Sequence, residues 1–198
     1  AALSCGNAVA LIAALLLANA HAWASASPAD DDWPNFGRDG SEQHYSPLDE
    51  ISVESIDELQ LAWHFDLEPG FSLSTPVQAE GKLFITTGHS HIRALDAVTG
   101  RLLWEFDAKV REIAQSALHL SWGNKGLAYW NGRVFVATTD GRVIALDAKN
   151  GTQLWERRQF GISELRNNNG APRVFDGKVI VGHGGADISP IRGYVTAY

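Results

Sequence analysis

His89 and His91 are the first residues in this sequence with the types and spacing for chemistry. They stand two apart in a segment of strand-like composition, so their imidazoles would share one face and could hold a metal ion. No third ligand accompanies them, and an exposed hairpin is their expected home. Ser90 between them has no acid partner to complete a hydrolase triad. There is no C-x-x-C-H sequence, so no covalent haem attaches within these residues. A net charge of -7 with no cluster of Lys or Arg argues against a nucleic-acid partner, because phosphate binding needs concentrated positive charge.

The elements that would carry any site are short strands joined by turns. Lys82 to Thr87 is β-branched and aromatic, His91 to Asp96 alternates, and Val98-Thr99-Gly100 turns the chain into a further strand, Arg101 to Phe106. The pattern then repeats. Gly132 to Thr139 answers the stretch from Gly81, Val143 to Ala148 answers Ile92 to Ala97, and Gly151 to Glu156 answers Gly100 to Glu105. Asp96 and Asp147 are 51 residues apart, as are Trp104 and Trp155. A third unit begins at Gly177 to Gly182, and an earlier half-unit, Leu61 to Phe65, ends in the same kind of Trp strand.

Such a period, all strand and one Trp per unit, predicts an all-β chain of β-propeller blades, about two to three of them here. Gly100 and Gly151 would supply the positive φ of a tight turn. Asp96 and Asp147 would accept hydrogen bonds from turn amides, and Trp104 and Trp155 would bury their rings between neighbouring sheets. So few blades cannot close a ring, and alone they would leave apolar faces open.

The opening residues read differently. Val9 to Ala18 is an uncharged apolar core too short to span a bilayer comfortably, and Ala22-Trp23-Ala24 offers a cleavage site before Ser25. The expected organisation is a signal peptide truncated at its start over 1–24, a polar linker over 25–32, and propeller blades over 33–198, placing the protein in the periplasm. Cys5 lies in the leader, so no disulfide is expected within residues 25–198.

Ala94 to Trp104 fits the A-x-D-x-x-T-G-x-x-x-W docking motif of quinoprotein dehydrogenases; the copy from Ala145 to Trp155 has Asn150 in place of Thr. Three further segments, Asp32-Trp33-Pro34-Asn35-Phe36-Gly37-Arg38 with Glu42 to Leu48, Asn124 to Gly132, and Gly184-Gly185-Ala186-Asp187 with Arg192 to Tyr198, resemble the pyrroloquinoline quinone (PQQ)-dependent alcohol and methanol dehydrogenases. The resemblance covers almost all of 32–198 and implies an eight-bladed propeller. It also implies PQQ near the axis with Ca2+ or a lanthanide, and oxidation of an alcohol with electrons passed to cytochrome c or a membrane quinone. Membrane association is left open.

By that resemblance Asp187 aligns with a metal-binding glutamate, Lys125 with a cofactor-contacting arginine and Asn169 with a cofactor-bonding threonine. Gly184, Gly185 and Ala186 would let the backbone approach the cofactor plane. The family's cysteine pair is replaced by His119-Leu120, whose His119 could stack on the quinone, and a cofactor-bonding glutamate is replaced by Leu73. The catalytic aspartate and metal-binding asparagine would fall beyond Tyr198, so these residues alone are expected to be inactive. The second reading is a propeller without cofactor that serves as an interaction scaffold.

Overall fold

A computed structural model describes residues 31–68, 74–114, 123–186 and 189–198. Eleven strands form three antiparallel sheets among the described residues. The first holds β1 (Val77–Ala79), β2 (Lys82–Thr87), β3 (His91–Asp96) and β4 (Leu102–Asp107), in that order. The second repeats the arrangement with β5 (Ala128–Trp130), β6 (Arg133–Ala137), β7 (Arg142–Asp147) and β8 (Gln153–Arg158). The third holds β9 (Arg173–Phe175), β10 (Lys178–Gly182) and β11 (Val195–Ala197), with β10 central.

Each sheet opens with the same hairpin. Glu80-Gly81, Asn131-Gly132 and Asp176-Gly177 each place two successive residues at positive φ, 48° to 52° and then 68° to 71°. That turn matches the right-handed twist of the strands it joins. The register follows directly, with Ala79 opposite Lys82 and Trp130 opposite Arg133.

The core lies between the sheets. Val134, Val136, Ile144 and Leu146 of the second sheet pack with Phe84, Ile92, Ala94 and Trp104 of the first. The alternate residues Phe135, Ala137, Val143 and Ala145 pack with Val179 and Val181 of the third. The second sheet is therefore covered on both faces, which is why β6 and β7 are nearly continuous apolar runs.

The repeated Trp residues join one sheet to the next. The Trp104 indole Nε1 donates to the carbonyl of Ala148 at 3.1 Å, and Trp63 donates to Ala97 at 3.2 Å. Each ring lies flat on the turn glycine: a Cβ at Gly151 would fall 2.6 Å from Trp104, and one at Gly100 would fall 2.4 Å from Trp63. Those glycines have φ of +74° and +70°, so both the space and the backbone exclude a side chain. Asp96 Oδ1 accepts from the Thr99 amide and hydroxyl, both at 2.8 Å, which holds its carboxyl below the usual carboxylate range. In the copy, Asn150 turns its own oxygen to the Thr152 amide instead, at 2.9 Å.

Three expectations need correction. Residues 61–65 form no strand, because no described strand lies beside them, although Trp63 docks as expected. The outer strand of the first sheet runs from Leu102 to Asp107, one residue later than the pattern suggested. Beyond it a short helix, α1 (Val110–Ala114), buries Val110 and Ala114 in an otherwise β structure.

Candidate functional site at the inner edges of the sheets

β1, β5 and β9 are the innermost strands, and the segments entering them run side by side. The Thr75 amide donates to the carbonyl of Lys125 at 3.0 Å, and the Lys125 amide donates to the carbonyl of Asn169 at 2.8 Å. Two of the residues singled out by the resemblance are thus joined through their backbones, across two sheets. Their side chains are unengaged: Lys125 is exposed and Asn169 half-buried, and neither makes a side-chain hydrogen bond among the described residues.

The support behind them is polar and buried. Asn124, with no exposed surface, donates Nδ2 to the carbonyl of Ala137 and accepts from the Gly126 amide at 3.0 Å. Its own carbonyl accepts from the Thr86 hydroxyl at 3.2 Å, reaching back to the first sheet. On the other side Asn168, 1% exposed, donates Nδ2 to Gln159 at 3.0 Å, while its Oδ1 has no partner among the described residues. Asn124 opens a segment that resembles the family, and the positive-φ Gly126 beside it, at +149°, is a second local sign; nothing in the spacing announces Asn168.

Gly184 and Gly185 sit against their own chain. Gly184 and Asn167 exchange backbone hydrogen bonds at 2.7 and 3.3 Å, and a Cβ at Gly185 would fall 2.3 Å from the carbonyl of Leu165. Gly185 has φ +112°, so glycine is demanded there by the adjacent segment whatever else approaches. Ala186 is exposed. His183 is fixed between Phe160 and Tyr194, with ring centroids 6.0 and 4.2 Å away. Its Nε2 accepts from the Tyr194 amide at 3.2 Å, which leaves Nδ1 as the protonated nitrogen facing the carbonyl of Gly184. Asp187, His119 with Leu120, and Leu73 lie outside the described residues, as does the proposed leader.

The histidine pair does not share a strand face. His89 lies in a left-handed turn before β3, at φ +57°, and its Nε2 accepts from Arg111 at 2.8 Å. Burial foremost, and then the Arg111 charge, push His89 below the usual histidine range. His91 faces Arg93 and Glu105 instead. Ser90 is buried and accepts from the Thr139 amide at 3.2 Å, which ties two sheets together. Among the described residues no three His, Cys, Asp or Glu side chains gather around a metal-ion position.

Antiparallel sheets of up to four strands, laid side by side with their first strands innermost and with Trp63 and Trp104 each docked on the next turn, define a β-propeller. Comparison with known proteins makes this specific. A family model for PQQ proteins, the glucose/ethanol/alcohol dehydrogenase β-propeller domain, matches residues 33–198, and the chain belongs to that family. The dehydrogenase subunit of the quinone-type alcohol dehydrogenase of Gluconobacter oxydans (strain 621H) is 43% identical over 174 residues, covering 84% of this chain and 23% of that one. The crystal structure of the quinohemoprotein alcohol dehydrogenase of Comamonas testosteroni superposes with a TM-score of 0.77 at 38% identity, covering 87% of this chain and 26% of that one. A europium-containing methanol dehydrogenase gives 0.76 at 28% identity, covering 86% of this chain and 30% of that one. The chain spans about a quarter of the length of the curated relatives it matches.

Proposed function

We propose that these residues supply the first blades, and part of the cofactor cradle, of a periplasmic PQQ-dependent dehydrogenase that oxidises alcohols to aldehydes and passes electrons to a cytochrome or a membrane quinone. The observation that carries this reading is the backbone link between Lys125 and Asn169 at the inner edges of the sheets, with both side chains left without partners. PQQ is planar, oxygen-rich and anionic. An ammonium and a carboxamide donor, both without partners among the described residues, form a donor set that suits it. Relatives in this family carry the names quinone-type and quinohemoprotein alcohol dehydrogenase, and one is a 1-butanol dehydrogenase (cytochrome c). Those names support the alcohol substrate and the cytochrome partner.

Lys125 would pair with a carboxylate or quinone oxygen as a point charge, without the two-pronged grip of an arginine. Asn169 would donate from its amide and hold the cofactor's rim. Asp187 is the proposed ligand from this segment for a calcium or lanthanide ion, since a carboxylate oxygen suits a hard cation. Gly184, Gly185 and Ala186 add a wall without bulk, and His119 would lie against the cofactor face. When bound, the quinone supplies the two-electron oxidant and the ion a Lewis acid.

Lys125→Ala removes one charge-assisted contact, a loss of about 1.5–3 kcal/mol, so the dissociation constant for PQQ should rise about tenfold to a hundredfold. The rise should shrink at high salt, since the lost contact is ionic and exposed. Fluorescence titration of the cofactor-free full-length protein reads this. An unchanged dissociation constant would remove Lys125 from the site.

A further inference from the structure

The backbone at Lys125 is more tightly held than an exposed side chain requires. Its amide and its carbonyl are both used, one by Asn169 of the third sheet's entry and the other by Thr75 of the first. The residues on either side, Asn124 and Gly126, are buried and are bonded to each other through the Asn124 carboxamide. That same carboxamide is anchored to the end of β6 at Ala137, and the Asn124 carbonyl is anchored to Thr86 of β2. A Cβ at Gly126 would meet the Ala171 side chain and the Thr75 carbonyl, both at 3.3 Å, so the entry segments are also packed close. A fixed main chain that carries an unpartnered cation is the arrangement by which a site avoids paying ordering entropy when its ligand arrives.

We propose that Asn124 is a positioning residue: by clamping Ala137, Gly126 and Thr86 it holds the Lys125 ammonium in one arrangement for an anionic ligand. The inference rests on the reading of Lys125 as a cofactor contact, and it deepens that reading. Asn124 touches no ligand itself. Its two side-chain bonds and one carbonyl bond join three elements from two sheets, so its loss would let the Lys125 entry segment shift against both.

The test is a double-mutant cycle in the full-length protein, stripped of cofactor and metal and titrated with PQQ at fixed calcium by tryptophan fluorescence quenching. The variants are Asn124→Ala, Lys125→Ala and the pair. Val134→Ala, which opens a buried site in the core between the first two sheets, serves as the control for general destabilisation. Asn124→Ala should weaken PQQ affinity about tenfold, and the pair should be no weaker than Lys125→Ala alone within about twofold, because residues acting through one contact are not additive. Val134→Ala should lower the melting temperature while leaving the affinity within about twofold, since distant sites are independent.

Should Asn124→Ala fail to fold, Thr86→Val carries the same test. It removes only the hydroxyl bonded to the Asn124 carbonyl and to Ser74, and should give a smaller weakening that disappears in the Lys125→Ala background. Unchanged affinity in Asn124→Ala, alongside a loss in Lys125→Ala, would overturn the positioning role and leave the cofactor reading standing. Additive losses, or an equal loss in Val134→Ala, would overturn it as well and make Asn124 a residue of the fold only. Unchanged affinity in Lys125→Ala would overturn the cofactor reading itself.

Discussion

Trp104→Ala should destabilise the full-length protein by about 3–5 kcal/mol, the range for removing a large aromatic side chain from a packed core. The ring is 9% exposed and belongs to the cluster that joins the first two sheets. It loses three kinds of contact at once: the indole hydrogen bond to the Ala148 carbonyl at 3.1 Å, the flat packing on Gly151, and the tilted contact with Phe84 at 5.9 Å between centroids. The Ala148 carbonyl would also lose its donor. Gly151 lacks a side chain that could fill the void, so the site cannot collapse cheaply. Denaturant unfolding reads the effect as a fall in midpoint. A loss under about 1 kcal/mol would show that the sheets are held together by something other than this docking, against the sum of contacts that an aromatic ring of this burial makes.

The second large effect belongs to Asp140. Its side chain has no exposed surface, and that of its partner Arg142 is 5% exposed. Arg142 Nε donates to Asp140 Oδ2 at 2.8 Å, a second nitrogen reaches Glu156 at 3.2 Å, and a third donates to the Ala108 carbonyl of the first sheet's trailing segment. Asp140 also accepts from the Thr138 hydroxyl, and Arg158 closes over its carbonyl at 3.0 Å. Asp140→Ala strands a buried guanidinium next to a single half-exposed carboxylate, at a cost of about 3–5 kcal/mol. Removing both charges together, Asp140→Ala with Arg142→Met, should recover much of that loss, because neither charge is then left buried alone. Paired melting curves decide it: a double variant as unstable as Asp140→Ala would mean the cost is packing around the turn rather than an unpaired charge.

The docking device was legible because it is local and repeated. Asp96, Gly100 and Trp104 recur 51 residues on, and each residue in both copies does what its type implied: a turn acceptor, a positive-φ position, a ring between sheets. The bonds that fix the site join residues far apart in the chain and leave no periodic trace. Thr86 meets Asn124 across 38 residues, and Ser90 meets Thr139 across 49. Neither pair could be picked from composition. Ser90, which has no acid partner in the sequence, is a buried bolt between blades, and His89 sits at a left-handed turn, where strand alternation no longer applies. Lys125 and Asn169 were reached through resemblance alone, and the structure adds that their backbones are bonded. Gly184 and Gly185 are approached closely by Asn167 and Leu165 of their own chain, a contact that their sequence does not announce. A glycine in a sequence says that space is needed without saying what occupies it.

By the family resemblance, Leu73 stands where a cofactor-bonding glutamate is expected and His119-Leu120 where a cysteine pair is expected, so cofactor binding is the deciding property. The measurement is a titration of the full-length protein, purified from a periplasm, with PQQ and either calcium or a lanthanide, while reduction of an artificial dye is followed with a panel of primary alcohols. The expected result is saturable binding that depends on the metal, with dye reduction that depends on the alcohol. A folded protein that binds no PQQ with either metal would contradict it and leave a propeller that serves as a scaffold.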